Sequence, residues 1–200
     1  MEHADASARE PRTAEELAAY GNHIVQYSPE YSLCAGCETC AIMCGLTHYG
    51  CTGPNTSGIR VNLGTRSCIH TIEVCLQCKD HPCYEACPKK DKAMCVDEET
   101  GVVYIVEEEC IGCGKCARNC KFTPSRIHIR KNKVRKLWKA VKCDLCRGNE
   151  DGPQCITYCP VRCIGLSDDS IFSPDGTRPA ELDEAAALGS APAPEATEEV

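Results

Sequence analysis

The apolar positions of this chain fall in short patches separated by Gly, Pro, Asn and Asp, which predicts many brief elements and no long ones. Ile24 to Tyr27 puts β-branched residues ahead of the Ser28-Pro29 turn and predicts a short strand. The stretch 47–64 is rich in Gly, Thr and Asn and reads as loop, with Ile59-Arg60-Val61 offering a strand at its end. Met94-Cys95-Val96 and Val102 to Val106 flank Asp97-Glu98-Glu99-Thr100-Gly101, whose turn residues predict a β-hairpin. Arg126 to Arg130 and Leu137 to Val141 alternate around Lys131-Asn132-Lys133 and predict a second one. The expected helices are equally brief: one or two turns over Ala41 to Leu46, another over Pro82 to Cys87, and one over Ala14 to Tyr20 in an N-terminal arm, residues 1–22. No run of some eighteen apolar residues occurs, so the chain is not expected to span a membrane by itself. Residues 167–200 carry nine acids against Arg178 alone and read as a solvated tail, or as a strap that orders on a partner.

Composition removes the usual way of holding such pieces together. The apolar fraction of 42% drops to about 32% once the 20 cysteines are set aside. Phe122, Phe172 and Trp138 are the only large aromatics besides tyrosine. A thick apolar core is out of reach, and small domains in that position rely on staples.

The staples are visible as a repeat. Cys110, Cys113 and Cys116 stand at successive C-x2-C spacing, and Cys120 follows. Three thiolates this close suit three irons of one cubane, with Gly112 and Gly114 allowing the wrap around it. In the bacterial ferredoxin pattern the fourth cysteine of such a run ligates a different cluster, so a further run is required. There are three more: Cys34, Cys37, Cys40 and Cys44; Cys75, Cys78, Cys83 and Cys87; Cys143, Cys146, Cys155 and Cys159. Two of the four end in Cys-Pro, at Pro88 and Pro160. Inorganic staples of this kind make metal binding part of folding, so the metal-free chain is expected to be largely unfolded.

Other readings of the cysteines fit less well. Residues 1–26 lack an apolar signal region and a twin-arginine pair, so a secreted disulfide scaffold is not expected and a cytoplasmic location is. Structural zinc wants two C-x2-C pairs separated by a longer loop. The formal charge is −7, and four thiolate-bound cubanes would take it to roughly −15, which argues against nucleic acid. Cys51, Cys68, Cys95 and Cys163 form no C-x2-C pair and read as buried small apolar residues. Cys163 lies four residues past Cys159, but Pro160 favours Cys159 as the ligand. His48, His70 and His81 read as non-ligands because every run already has four cysteines. The stretch 126–142 carries eight positive charges and no acid. It reads either as a solvated hairpin face or as a docking surface for an acidic partner, with Trp138 as anchor.

The four motifs resemble those of the four-cluster ferredoxin-like electron-transfer subunits of molybdenum and tungsten oxidoreductases, over Cys34 to about Leu166. The resemblance implies an α+β fold of two interleaved bacterial-type ferredoxin-like units. An inner unit (74–130) would be inserted into an outer one (23–73 and 131–166). It pairs the first run with the last and the second with the third. Set a would be Cys34, Cys37, Cys40 and Cys159; set b Cys143, Cys146, Cys155 and Cys44. Set c would be Cys75, Cys78, Cys83 and Cys120; set d Cys110, Cys113, Cys116 and Cys87. Each set would hold one [4Fe-4S] cluster, with no catalytic residue anywhere. The stretch C-A-G-C-E-T-C-A-I-M-C-G-L-T-H-Y-G, followed by Ile59-Arg60-Val61, is similar to subunits that accompany tungsten enzymes of the aldehyde:ferredoxin oxidoreductase type, including benzoyl-CoA reductases. The implied partner is a tungsten- or molybdenum-pterin catalytic subunit, with or without a further donor or acceptor subunit. A dimethyl-sulfoxide-reductase or formate-dehydrogenase type subunit and a free polyferredoxin carrier share the ligand pattern.

Overall fold

The computed structural model describes residues 20–26, 34–53, 55–131 and 137–167. The expected helix over Ala14 to Tyr20 lies outside them except for Tyr20, which bridges to Cys78; the acidic tail from residue 168 lies outside entirely.

The described chain is a small α+β structure of short strands and short helices. It begins with β1 (Ile24–Gln26), α1 (Thr39–Tyr49), β2 (Ile59–Asn62) and β3 (Thr71–Val74). Helix α2 (Pro82–Glu85), β4 (Met94–Val96), β5 (Val103–Ile105) and α3 (Lys115–Arg118) follow. The last elements are β6 (His128–Lys131), β7 (Trp138–Val141), α4 (Gln154–Thr157) and β8 (Ile164–Leu166). Every sheet has two antiparallel strands, in the pairs β1–β8, β2–β3, β4–β5 and β6–β7.

The strands of both expected hairpins pair, and the residues that join the second pair, 132–136, lie outside the described ones. Val96 faces Val103 across the β4–β5 turn, where Asp97 Oδ1 accepts from the amides of Glu99 and Thr100. Lys131 faces Trp138 across β6–β7. The β2–β3 pair brings Ile59 opposite Val74, and both are almost fully buried. Pairing of β1 with β8 closes the two ends of the described chain, with Ile24 opposite Leu166.

Helix α1 runs past the expected stop at Leu46 and ends at Gly50, whose φ of +61° lets its amide return to the Leu46 carbonyl at 3.0 Å. The other three helices are single turns. Apolar residues gather in two small cores that consist partly of thiols. One joins Ile24, Ile59, Ile72, Val74 and Ile164 to Cys40, Cys44, Cys75, Cys143 and Cys155. The second joins Met94, Val103, Ile127 and Ala140 to Cys83 and Cys116.

Candidate metal centre

The four cysteine runs share one backbone device. Two residues after the first cysteine of each run the chain enters the left-handed region: Gly36 at φ +65°, Gln77 at +49°, Gly112 at +66° and Leu145 at +58°. That conformation turns the amide back toward the preceding sulfur. Gly36 donates to Cys34 Sγ, Gln77 to Cys75 Sγ and Gly112 to Cys110 Sγ, each at 3.4 Å. The Leu145 amide likewise bonds the Cys143 sulfur. Further amides reach sulfur from outside the runs: Gly58 to Cys44 at 3.3 Å, Arg126 to Cys120 at 3.4 Å and Ala140 to Cys110 at 3.5 Å. Amide donors of this kind stabilise negative charge on sulfur.

Two cavities of near-equal size lie beneath these loops. The larger, about 360 Å³, is lined by Cys87, Cys110, Cys113 and Cys116 between Met94, Ile105 and Ala140. The second, about 350 Å³, is lined by Cys75, Cys78, Cys83 and Cys120, with Phe122 and Ile127 beside them. In each, three thiols come from one run and one from another far away in sequence.

Of the remaining motif thiols, Cys34, Cys40, Cys44, Cys143, Cys155 and Cys159 gather in or against the first core. Burial pushes the Cys40 thiol up to about 12; the nearby Cys34, Cys159 and Cys37 thiols add to the rise, against the Ala41 amide. Burial also raises Cys155, helped by the neighbouring Cys44, Cys146 and Cys40. Cys143 is raised well above its ordinary value by burial and then by Cys155. Burial holds Cys78 and Cys116 up to about 12 as well. Thiols raised in this way are protonated at neutral pH, so a metal that binds them must displace protons.

All 20 cysteines are free thiols in this structure. Groups of thiols around an apolar cavity, with amide N–H groups turned toward sulfur, form a donor set that fits a cubane iron–sulfur cluster. Three basic side chains of the 126–142 stretch turn toward these groups, contrary to a purely solvated hairpin. Lys139, 3% exposed, donates to the carbonyls of Glu107 at 2.6 Å and Cys110 at 2.7 Å. The Lys142 ammonium reaches the carbonyls of Val103 and Cys143 at 2.5 and 3.0 Å. The buried Arg126 lines the second cavity and pairs with the half-buried Glu73 carboxylate at 3.1 Å. Of the described stretch, Lys131, Leu137 and Trp138 match the exposed face that was expected.

Three of the four surplus cysteines differ from the burial expected of them. Cys51 and Cys68 are exposed and Cys95 is half-buried, because they sit in loops and a hairpin edge and not in either core. Cys163 is buried, with its Sγ 3.7 Å from Cys159 Sγ. That contact and the amides of Cys163, Val161 and Arg162 draw the Cys159 thiol below its ordinary range, against burial. His48 also touches the site, its Nε2 lying 3.5 Å from Cys146 Sγ and 3.4 Å from Asp144. Sequence reasoning missed Gln77 and Glu73 altogether and saw Lys142 only as one charge of the basic stretch. A buried amide or cation beside a motif carries no signal until its neighbours are known.

A small α+β chain whose thiols gather around cavities in this way is an iron–sulfur electron-transfer protein. Residues 67–169, just over half of the chain, match the 4Fe-4S dicluster domain, and the chain belongs to that family. It is 41% identical over 126 residues to the aliphatic sulfonate oxidoreductase, polyferredoxin-like subunit, of Pyrococcus furiosus, covering 63% of this chain and 66% of that one. It is 31% identical to the putative electron transport protein YsaA of Escherichia coli over 68% of this chain and 84% of that protein. For the electron transport protein HydN of the same organism the identity is 32%, over 66% of this chain and 82% of that protein. Among solved structures, the active site complex BamBC of benzoyl coenzyme A reductase with benzoyl-CoA matches 73% of this chain and 81% of that one, at 19% identity and a TM-score of 0.36. A likeness that weak supports no inference about function. Among the described residues no helix is long and apolar enough to cross a membrane.

Proposed function

We propose that this chain is a non-catalytic subunit that carries four [4Fe-4S] clusters and relays electrons to or from a tungsten- or molybdenum-pterin enzyme of the aldehyde:ferredoxin oxidoreductase type. The observation that supports it most is the pair of cavities, each lined by three cysteines of one run and one of another. Sets c and d would be held in those cavities, and sets a and b in the thiol-rich core built on α1 and α4. In this reading an inner unit, 74–130, sits within an outer one, 23–73 and 131–166.

A bound [4Fe-4S] cluster takes up and returns one electron. The residues around it do the rest. Amide donors and the ammonium groups of Lys139 and Lys142 offset the negative charge that each site would accumulate. Apolar walls keep water away from most of the sulfur. Neighbouring sets are close: Cys40 of set a beside Cys155 of set b, Cys143 of set b beside Cys75 of set c, and Cys83 of set c beside Cys116 of set d. The order along the relay would be a, b, c, d.

Its two ends would be the exposed Cys37 and Cys113. At the second end Ile111, Leu137 and Trp138 are all more than half exposed, an apolar surface suited to a partner subunit. The link to a tungsten enzyme draws on the first run and its resemblance, together with the 41% identity to an oxidoreductase subunit.

A free carrier is the second reading, favoured by the long overlap with relatives named electron transport proteins. Anaerobic purification from the native host separates the two. A stable complex containing a metal-pterin subunit supports the relay subunit, and a lone chain that exchanges electrons freely supports the carrier. Iron and acid-labile sulfide should each count about sixteen per chain. A count near eight would reject the four-cluster reading.

A further inference from the structure

One buried thiol beside set a is surplus to the four assigned there. Cys163 is 2% exposed, and its Sγ lies 3.7 Å from that of Cys159. The chain between them is tightly turned. The Arg162 amide bonds the Cys159 carbonyl at 3.2 Å, and Arg162 stands at φ +49°, which folds the backbone back toward Cys159. The amides of Val161, Arg162 and Cys163 bond the Cys159 sulfur, and the Cys163 thiol adds a further hydrogen bond to it. Cys163 also shares a hydrogen bond with the side chain of Cys34, the first cysteine of the same set. A Cys159 sulfur bound to iron carries no proton, so the S–H donor role at this 3.7 Å contact falls to Cys163.

Two sulfurs this close cannot serve two corners of a cubane, whose terminal thiolates sit on different irons and point apart. They can only compete for one iron. The other unassigned cysteines have no such place: Cys51 and Cys68 are exposed, and Cys95 Sγ turns to the Lys92 carbonyl at 3.7 Å.

We propose that Cys163 is a reserve ligand of set a. With Cys159 present its S–H donates to the ligand sulfur, and with Cys159 removed its own sulfur binds the same iron. The exchange is a ligand substitution: one Sγ–iron bond forms as the Cys163 thiol proton passes to water, and no electron moves. It rests on the reading of set a as a [4Fe-4S] site.

The test uses the full chain, reconstituted without oxygen, as wild type, C159A, C163A and C159A/C163A, with C120A as a control in set c. Iron and sulfide are counted per chain, and oxidised samples are examined by electron paramagnetic resonance for a three-iron cluster. C159A should keep the wild-type iron count and show no three-iron signal. C159A/C163A and C120A should both lose iron and show it. C163A should keep its iron, with one midpoint potential lowered because a hydrogen bond that favours the reduced, more negative state is gone. Equal iron loss in C159A and the double variant overturns the proposal. Loss of a cluster in C163A overturns it as well, since Cys163 would then be the resident ligand. A wild-type chain that takes up no iron overturns the underlying reading too, so the two failures are told apart by the wild-type count.

Discussion

The side-chain amide of Gln77 donates to the carbonyl of Cys143 at 2.9 Å and so fastens the second cysteine run to the start of the fourth. Its carbonyl oxygen accepts from the Val103 amide at 3.1 Å and the Lys142 ammonium at 3.0 Å. Gln77 is almost fully buried. Replacement by leucine would leave these polar groups short of partners, each at about 1–3 kcal/mol. Gln77→Leu should lower the denaturant midpoint of the iron-loaded protein by that order. The fall should be seen as an earlier loss of visible cluster absorbance, and an unchanged midpoint would show that Gln77 is not a structural joint.

Lys142 lies between the thiols of sets b and c, and its charge lowers the pKa of Cys83 and Cys143 against the larger effect of burial. Its ammonium favours whichever state of the site is more negative. Lys142→Met should therefore lower two midpoint potentials, those of the clusters proposed at sets b and c, and leave the iron count intact. Potentiometric titration of the variant checks this, and a rise in either potential would contradict it.

Gly112 stands at φ +66°, and a Cβ there would collide with the Trp138 backbone carbonyl. Backbone on both sides of that contact cannot yield cheaply. Gly112→Ala should cost set d its cluster, about four irons per chain. Gly101→Ala is the control, because Gly101 has φ +70° but open space around it. It should retain all its iron and lose about 1–2 kcal/mol of stability from left-handed strain alone.

His128 is buried, and burial together with the Arg60 guanidinium beside it lowers its pKa from 6.5 to about 4. Between those values the unfolded chain binds the extra proton and the folded chain does not. The contribution to stability is therefore complete above pH 6.5 and is lost as the pH falls toward 4. His128→Gln should flatten the pH dependence of unfolding within that window, as a matched series of denaturation curves would show.

The hairpin β4–β5 was legible because turn chemistry is local: Asp97 and Gly101 mark a reversal whatever surrounds them. The pairing of β6 with β7 was legible from the alternation of its two strands. Strands β3 and β8 were not. Thr71–Val74 runs straight into Cys75 without a boundary, and Ile164–Leu166 is three residues long with a glycine in the middle. Each is a strand only because β2 or β1 lies alongside it. Helix α1 was legible in its centre, but its last turn extends through Thr47, His48 and Tyr49, weak helix formers, until Gly50 can close it. Of the surplus cysteines Cys163 is buried as expected and the other three are not, since burial of a small side chain depends on its neighbours, and Cys51 and Cys68 have few.

By itself the sequence determined that this protein is organised around thiols in C-x2-C runs. The reason is that such spacing fixes how far apart sulfur atoms can be within one loop, before any folding. The tertiary structure decided which distant thiols line the same cavity, that Lys139 and Lys142 turn inward, that Gln77 joins two runs, and that Cys163 meets Cys159. Those outcomes depend on strand pairing and on where buried polar groups find partners, and both are properties of the assembled chain rather than of any segment.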